Sequence, residues 1–285
     1  MVAPSHAEIK AFIQRALAED IGSGDVTTQS IVPADHRSRA RFAAREPLVI
    51  AGLPLALAAF RELDPDVHFA SQRNDGDALA AGEILFAVEG PSRALLTAER
   101  VALNCVQRLS GIATLTAAFV EAIHHTSTRI LDTRKTTPGW RTFEKYAVTC
   151  GRGTNHRRGL DDLILIKDNH LAALADASPN AVAVAISRAR HRFPYLKIEV
   201  EADHLDQVRQ AVDAGADIVL LDNMSLDQLR QAVAICRGRT LTEASGGVRL
   251  DTVRAIAETG VDFVSVGALT HSAPAVDIGL DFLTP

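Results

Sequence analysis

Apolar and polar residues change rhythm about 110 residues into the chain. Before that point the pattern is mixed. HAEIKAFIQRALAEDIG spaces its apolar positions as a helix does and predicts one near Glu8–Asp20. A turn-rich stretch, IGSGDVTT, follows. RARFAAREPLVIAG and EILFAVEG alternate like half-buried strands, with a helix predicted at Leu55–Leu63 between them. GPSRALLTAERVALNCVQRLSGIATLTAAFVEAI then reads as a long helical region, with Ser92 or Thr97 as its cap and a break near Gly111. This half predicts a small α+β unit.

From residue 129 short apolar runs recur: RILDT, LILIK, KIEVE, DIVLLD, TLTEASGG and DFVSVGAL. Helical stretches such as HLDQVRQAVDAGA and SLDQLRQAVAICRG lie between the later ones. The later runs are about 21 to 23 residues apart, near the least that a strand, a helix and two loops require. Alternating β and α units predict a parallel sheet with helices outside it, and apolar strands fit a sheet covered on both faces. Six units exceed most open sheets and fall short of eight. The pattern predicts an α/β barrel with fewer than eight strands, following the smaller domain.

A barrel builds its active site at the C-terminal ends of its strands. Asp132 to Lys135, Lys167, Glu199, Glu201, Asp222, Glu243 and Ser265 all fall at or near those ends. Charges that finish apolar strands are costly unless they face a polar cavity. The plainer reading, that Asp222 with Asn223 merely caps the next helix, does not extend to all six strands.

Charge sharpens the picture. The chain carries a formal net charge of −5, yet residues 134 to 167 hold eight Lys/Arg against three Asp/Glu. Arg134, Lys135, Arg157 and Lys167, with His156 beside Arg157, suit a ligand with several negative groups. A solvated basic face would explain Arg152 or Arg158 but not Lys167, at the end of a buried strand. Gly246 and Gly247 after TLTEAS, and Gly267 after DFVSV, predict a phosphate cradle on successive strands. Glu201 and Asp222 could hold ribose hydroxyls, bind Mg²⁺ or stabilise a developing cation. Glu199 shares a face with Glu201, and spacing alone does not choose between them. Together these groups fit a phosphorylated sugar, a polyanionic second substrate and a phosphoribosyl transfer.

Composition excludes several classes. The acidic balance argues against a general nucleic-acid binder. No apolar run approaches the roughly 20 residues of a membrane span, and the N-terminus lacks the pattern of a signal peptide or anchor. Cys105, Cys150 and Cys236 are scattered, with no CxxC pair, which suits a reducing cytoplasm and neither a disulfide framework nor a zinc cage. Cys150 reads as a small filler beside glycines rather than a nucleophile.

LDTRKTTPGWR, GRGTNHRRGLDDLILIKDNH, IEVEADHLDQ, DIVLLDNMS, TEASGGV and VDFVSVGALTHS, in that order, closely resemble the quinolinate phosphoribosyltransferase family. EDIGSGDVTT and AERVALNCVQRLSGIATLT extend the resemblance over nearly the whole chain. It implies an N-terminal α/β sandwich over residues 1–112, to which 270–285 returns, and an open, about seven-stranded α/β barrel over 113–269. It implies a homodimer, or a higher oligomer, with active sites shared between subunits. Quinolinate and 5-phosphoribosyl 1-pyrophosphate would give nicotinate mononucleotide, pyrophosphate and CO₂ in NAD synthesis. Arg134 and Arg157, with Arg100 from the partner subunit, would clamp the acceptor's two carboxylates, with His156 alongside. Lys135 and Lys167 would face the phosphates and the 2-carboxylate, with Thr133 beside them. The resemblance selects Glu201, with Asp222, to hold the ribose. Ser245, Gly246, Gly247, Val266, Gly267 and Ala268 would cradle the 5-phosphate. Mg²⁺ would arrive on the pyrophosphate, near Glu201 and Asp222, fixed by no protein residue alone. Arg152, where the family usually has Gly, and Thr149 depart from the pattern.

Three rivals are distinguishable. A related pyrophosphorylase would prefer another aromatic acid. A barrel lyase would use Lys167 as a Schiff base, in an apolar pocket. A binding module for anions or nucleic acid would bind DNA with strong salt dependence and would leave Glu201 and Asp222 without a purpose.

Overall fold

The computed structural model describes residues 3–70 and 73–283. Ser5 starts the first helix, α1 (His6–Ile21), through a capping box with Glu8. Asp25 starts the short α2 (Val26–Ile31) by accepting the Thr28 N–H at 2.9 Å. Strands β1 (Arg37–Ala44), β2 (Leu48–Val49), β3 (His68–Ala70), β4 (Ala78–Leu79) and β5 (Ile84–Pro91) follow, with α3 (Leu53–Leu63) between β2 and β3. β1 and β5 pair antiparallel, setting Phe42 opposite Phe86. Those rings stack at 4.1 Å between centroids, and Phe60 of α3 meets Phe42 edge-on at 5.9 Å. All three are fully buried, so one face of the sheet packs a helix over an aromatic core.

The helix α4 (Ser92–Ala122) is continuous. The break expected at Gly111 is absent, because that glycine serves a close approach and not a turn. A Cβ there would lie 1.9 Å from the carbonyl oxygen of Pro274. The chain divides into two units, 1–117 with 137–152 and 272–285, and 118–136 with 153–271. Residues 137–152, on the barrel side of the boundary implied by the sequence, belong to the first unit. They carry α5 (Arg141–Cys150). Its buried Glu144 pairs with Arg108 at 3.2 Å, and Tyr146 donates to Asp75 at 2.7 Å. Asp75 also accepts the Gly52 and Leu53 N–H groups at the start of α3.

The second unit is built on six parallel strands: β6 (Arg129–Leu131), β7 (Ile164–Ile166), β8 (Ile198–Ala202), β9 (Ile218–Asp222), β10 (Leu241–Ser245) and β11 (Phe263–Ser265). Their order is β6-β11-β10-β9-β8-β7. The about seven strands expected are six full strands and one rudiment. Thr154 makes an isolated parallel bridge to Leu131 on the free side of β6, exchanging N–H···O bonds with Ile130 and Asp132. No ladder joins that bridge to β7 among the described residues, so the barrel is open. The helices α6 (Asp168–Ala172), α7 (Ala181–Arg192), α8 (Leu205–Asp213), α9 (Leu226–Cys236), α10 (Val253–Ala257) and α11 (Ala268–His271) separate or follow the strands. Along β8, Ile198, Val200 and Ala202 share one face; Glu199 and Glu201 share the other.

The chain then returns to the first unit as β12 (Ile278–Leu283), which pairs antiparallel with β1 and completes the order β12-β1-β5-β3. Thr284 and Pro285 lie outside the described residues. No helix of the described residues is long and apolar enough to cross a membrane.

All three cysteines are buried and free. Burial pushes the thiols of Cys105 and Cys150 up to about 12 and that of Cys236 to about 11. The native protein is therefore expected to leave a disulfide reagent at pH 8 unreacted, since the thiolate is the attacking form. Denaturant should release three thiols; rapid native labelling of Cys150 would contradict its role as filler.

Candidate active site

The strand ends of the second unit surround a cavity of about 320 Å³. Thr133, Arg134 and Lys135 reach it from the loop after β6, and His156 and Arg157 from the loop before β7. Lys167 follows β7; Glu201, Asp222 and Ser245 belong to the ends of β8, β9 and β10. These nine residues, each singled out in the sequence, line one space. Gly246, Gly247, Val266, Gly267 and Ala268 continue directly from β10 and β11.

Local hydrogen bonds fix these groups. The hydroxyl of Thr133 accepts the Lys135 N–H at 3.0 Å. Asp132, fully buried at the end of β6, accepts the His156 N–H at 2.8 Å and the Asn155 side-chain amide at 2.6 Å. One carboxylate thereby ties the loop carrying His156 and Arg157 to the sheet. Arg157 donates to the Leu163 carbonyl at 3.3 Å. Asp222 accepts from the Asn223 amide at 2.7 Å. It does not cap α9; Ser225 does, accepting the Gln228 N–H.

The cations are crowded. Burial lowers the pKa of Arg157 from its usual value, and the neighbouring Arg134 lowers it further. The Nε of Arg134 and the hydroxyl of Ser265 are buried without a hydrogen-bond partner. Two guanidinium groups that repel each other beside an orphaned donor make a site for an anion. Lys167 is ion-paired with Glu201 beside this cavity, not set in the apolar pocket that a Schiff base needs.

Beneath the cations lies a layer that the sequence did not assign. His156 Nε2 is 2.9 Å from a carboxylate oxygen of Glu199 and 3.4 Å from one of Glu243. Both glutamates are fully or almost fully buried. Burial disfavours the charged ring, but Glu199 and Glu243 outweigh it and raise the His156 pKa to about 10. The Arg157 N–H points at His156 Nδ1 from 2.6 Å. The Nε2 edge of the ring faces the two glutamates. Burial, with Glu243 adding to it, raises the carboxyl of Glu199.

Two further residues escaped the sequence reading. Asn223 adopts a left-handed φ of 53°, and its N–H donates to the Ser245 carbonyl at 2.9 Å. Gly246, at φ +97°, lies so close that a Cβ would come within 2.1 Å of the Asn223 side-chain oxygen. His271 lies one helical turn beyond Gly267. A Cβ on Gly267 would meet His271 Nε2 at 3.1 Å and Lys135 Cδ at 3.0 Å. Only the four-residue spacing of Gly267 and His271 could have flagged it.

Arg100 lies on α4 in the first unit. It lines a cavity there of about 450 Å³, with Phe12, Arg15, Asn104 and Trp140.

Comparison with known proteins identifies relatives of the whole chain. Residues 25–110 match the N-terminal domain, and residues 112–281 the C-terminal domain, of the quinolinate phosphoribosyl transferase family. A probable nicotinate-nucleotide pyrophosphorylase [carboxylating] of Synechocystis is 43% identical, over 96% of this chain and 92% of its own length. The nicotinate-nucleotide pyrophosphorylase [carboxylating] of Mycobacterium leprae is 45% identical, over 94% and 95%. The solved structure of NadC from Streptococcus pyogenes superposes with a TM-score of 0.94 at 41% identity, covering 100% of both chains. With both domains matched in order and curated relatives aligned over nearly their full lengths, the chain belongs to the quinolinate phosphoribosyltransferase family.

Proposed function

We propose that this enzyme transfers the phosphoribosyl group of 5-phosphoribosyl 1-pyrophosphate to quinolinate, with decarboxylation, giving nicotinate mononucleotide, pyrophosphate and CO₂ for NAD synthesis. The observation that carries the reading is the pair Arg134 and Arg157, mutually repelling at a cavity wall with a buried donor unsatisfied. A pyridine dicarboxylate offers two planar anions to two planar forks. Lys135 and Lys167 take the phosphates and the 2-carboxylate, with Thr133 steadying the Lys135 backbone. Ser245 to Gly247 and Val266 to Ala268 form the turns that receive the 5-phosphate, the Val266 N–H itself being donated to the Leu131 carbonyl. Glu201 and Asp222 hold the ribose and stabilise its anomeric carbon as pyrophosphate departs and positive charge develops there.

Mg²⁺ belongs to this reading as a partner of the donor. Among the described residues, the cluster of three possible metal donors is His156, Glu199 and Glu243, engaged with one another, with His156 and Glu243 at the cavity wall. Glu201 and Asp222 also line the cavity, which fits an ion held chiefly by substrate phosphates. Such an ion neutralises the pyrophosphate.

The buried free cysteines support a reducing, cytoplasmic setting. The assay that tests the whole reading supplies quinolinate, donor and Mg²⁺ and follows CO₂ and nicotinate mononucleotide. Failure of the unmodified protein to form either overturns it.

Two expectations follow within this reading. Gly246→Ala should raise the KM for the donor on the order of tenfold, through backbone strain and the clash with Asn223. An unchanged donor KM would exclude this turn from the phosphate site. Arg100 serves the site of the partner subunit in a homodimer. Mixing inactive Arg100→Ala with inactive Lys167→Ala should then restore some activity, because a mixed dimer rebuilds one complete site. Absence of rescue after demonstrated subunit exchange would remove Arg100 from a shared site.

A further inference from the structure

Glu199 and Glu243 stand on β8 and β10, on either side of β9, yet both reach His156. Their ring partner is 9% exposed, and its Nδ1 faces the Arg157 N–H while its Nε2 faces the two carboxylates. The backbone N–H of the same histidine is held by buried Asp132. His156 is thus fixed from three strands, those carrying Asp132, Glu199 and Glu243. The next residue in the chain is Arg157, whose guanidinium enters the cavity.

We propose that Glu199 and Glu243 are positioning residues for the acceptor. By clamping the His156 ring from two strands, they set where Arg157 presents its fork to a dicarboxylate. The inference rests on the reaction assigned above and adds the origin of acceptor selectivity in the carboxylate pair that holds His156. Position matters here because a planar fork loses its second hydrogen bond when displaced by a fraction of an ångström. The donor binds to other elements, the turns after β10 and β11, so the clamp should act on one substrate and not on the other.

The test uses the full-length protein and phthalate, an unreactive benzene dicarboxylate, with calorimetry for binding and kinetics for both substrates. Glu199→Ala and Glu243→Ala should each weaken phthalate binding and raise the quinolinate KM about tenfold or more, because each removes one of the two carboxylates that hold the buried ring. The donor KM should stay within about twofold. Glu199→Gln and Glu243→Gln keep a carbonyl acceptor for the ring N–H and should recover most of the loss. Equal loss for both substrates, or no loss for either, overturns the proposal.

If the alanine variants do not fold, Glu199→Leu and Glu243→Leu, which fill the space without an acceptor, are made alone and combined with Arg157→Ala. Acting through Arg157, they should then add nothing to its effect on phthalate affinity. An additive loss overturns the proposal as well. The unmodified protein separates the two ideas: if it neither binds phthalate nor turns over quinolinate, the assigned reaction fails rather than the clamp.

Discussion

Arg134→Ala and Arg157→Ala are each expected to weaken quinolinate binding by about 2–5 kcal/mol, the cost of breaking a charge-assisted pair in a partly desolvated site. The lower figure is about thirtyfold in affinity. Binding of 5-phosphoribosyl 1-pyrophosphate should change far less, since its phosphates are proposed to meet the lysines and the glycine turns. The two losses should not simply add, because Arg134 already depresses the pKa of Arg157 and removing one relieves the other. Calorimetry that finds quinolinate affinity unchanged in both variants would refute the dicarboxylate clamp.

Nicotinate should be a very poor substrate, although it carries the same nucleophilic nitrogen. It lacks the carboxylate beside that nitrogen, and with it one of the two anions that the forks hold. CO₂ leaves that ring position easily only after the nitrogen has gained the ribosyl group and a positive charge. The protein therefore need not supply a base for this step. It must align the nitrogen with the anomeric carbon, and alignment of this kind can contribute on the order of 7–11 kcal/mol. Losing part of it should lower turnover by several orders of magnitude. Equal turnover of nicotinate and quinolinate would show that Arg134, His156 and Arg157 do not read a dicarboxylate.

What the sequence disclosed depended on periodicity. The later strands of the barrel are apolar runs at regular intervals, and their polar ends name Lys167 and Asp222 without a structure, whereas Glu201 is separated from Glu199 only by the family resemblance. Strand β7 is only three residues long, yet LILIK marked it because burial leaves no alternation. Residues 137–152 follow the expected boundary in the chain yet pack with the first unit, because packing is set by contacts such as Glu144 with Arg108 and Tyr146 with Asp75. Those partners lie 36 and 71 residues away in the chain. Gly111 misled for a similar reason: a glycine required by the approach of Pro274 is indistinguishable, in one dimension, from a helix breaker. Glu199 and Glu243 were visible as strand-end charges, but their convergence on His156 needs the strand order β8-β9-β10 and the loop position that Asp132 imposes.

The pairing of β1 with β12 has a consequence for how the chain is made. A ribosome finishes β1 early and produces residues 278–283 only after every strand of the parallel sheet. Throughout that interval a nascent chain holds an incomplete antiparallel sheet, with one side of β1 offering bare N–H and C=O groups to any passing strand. Arg37, Arg39 and Arg41 project from that strand into solvent, and their mutual repulsion discourages two nascent copies from zipping together. The unit encoded first is thus sealed last, and its arginines act as a guard during translation.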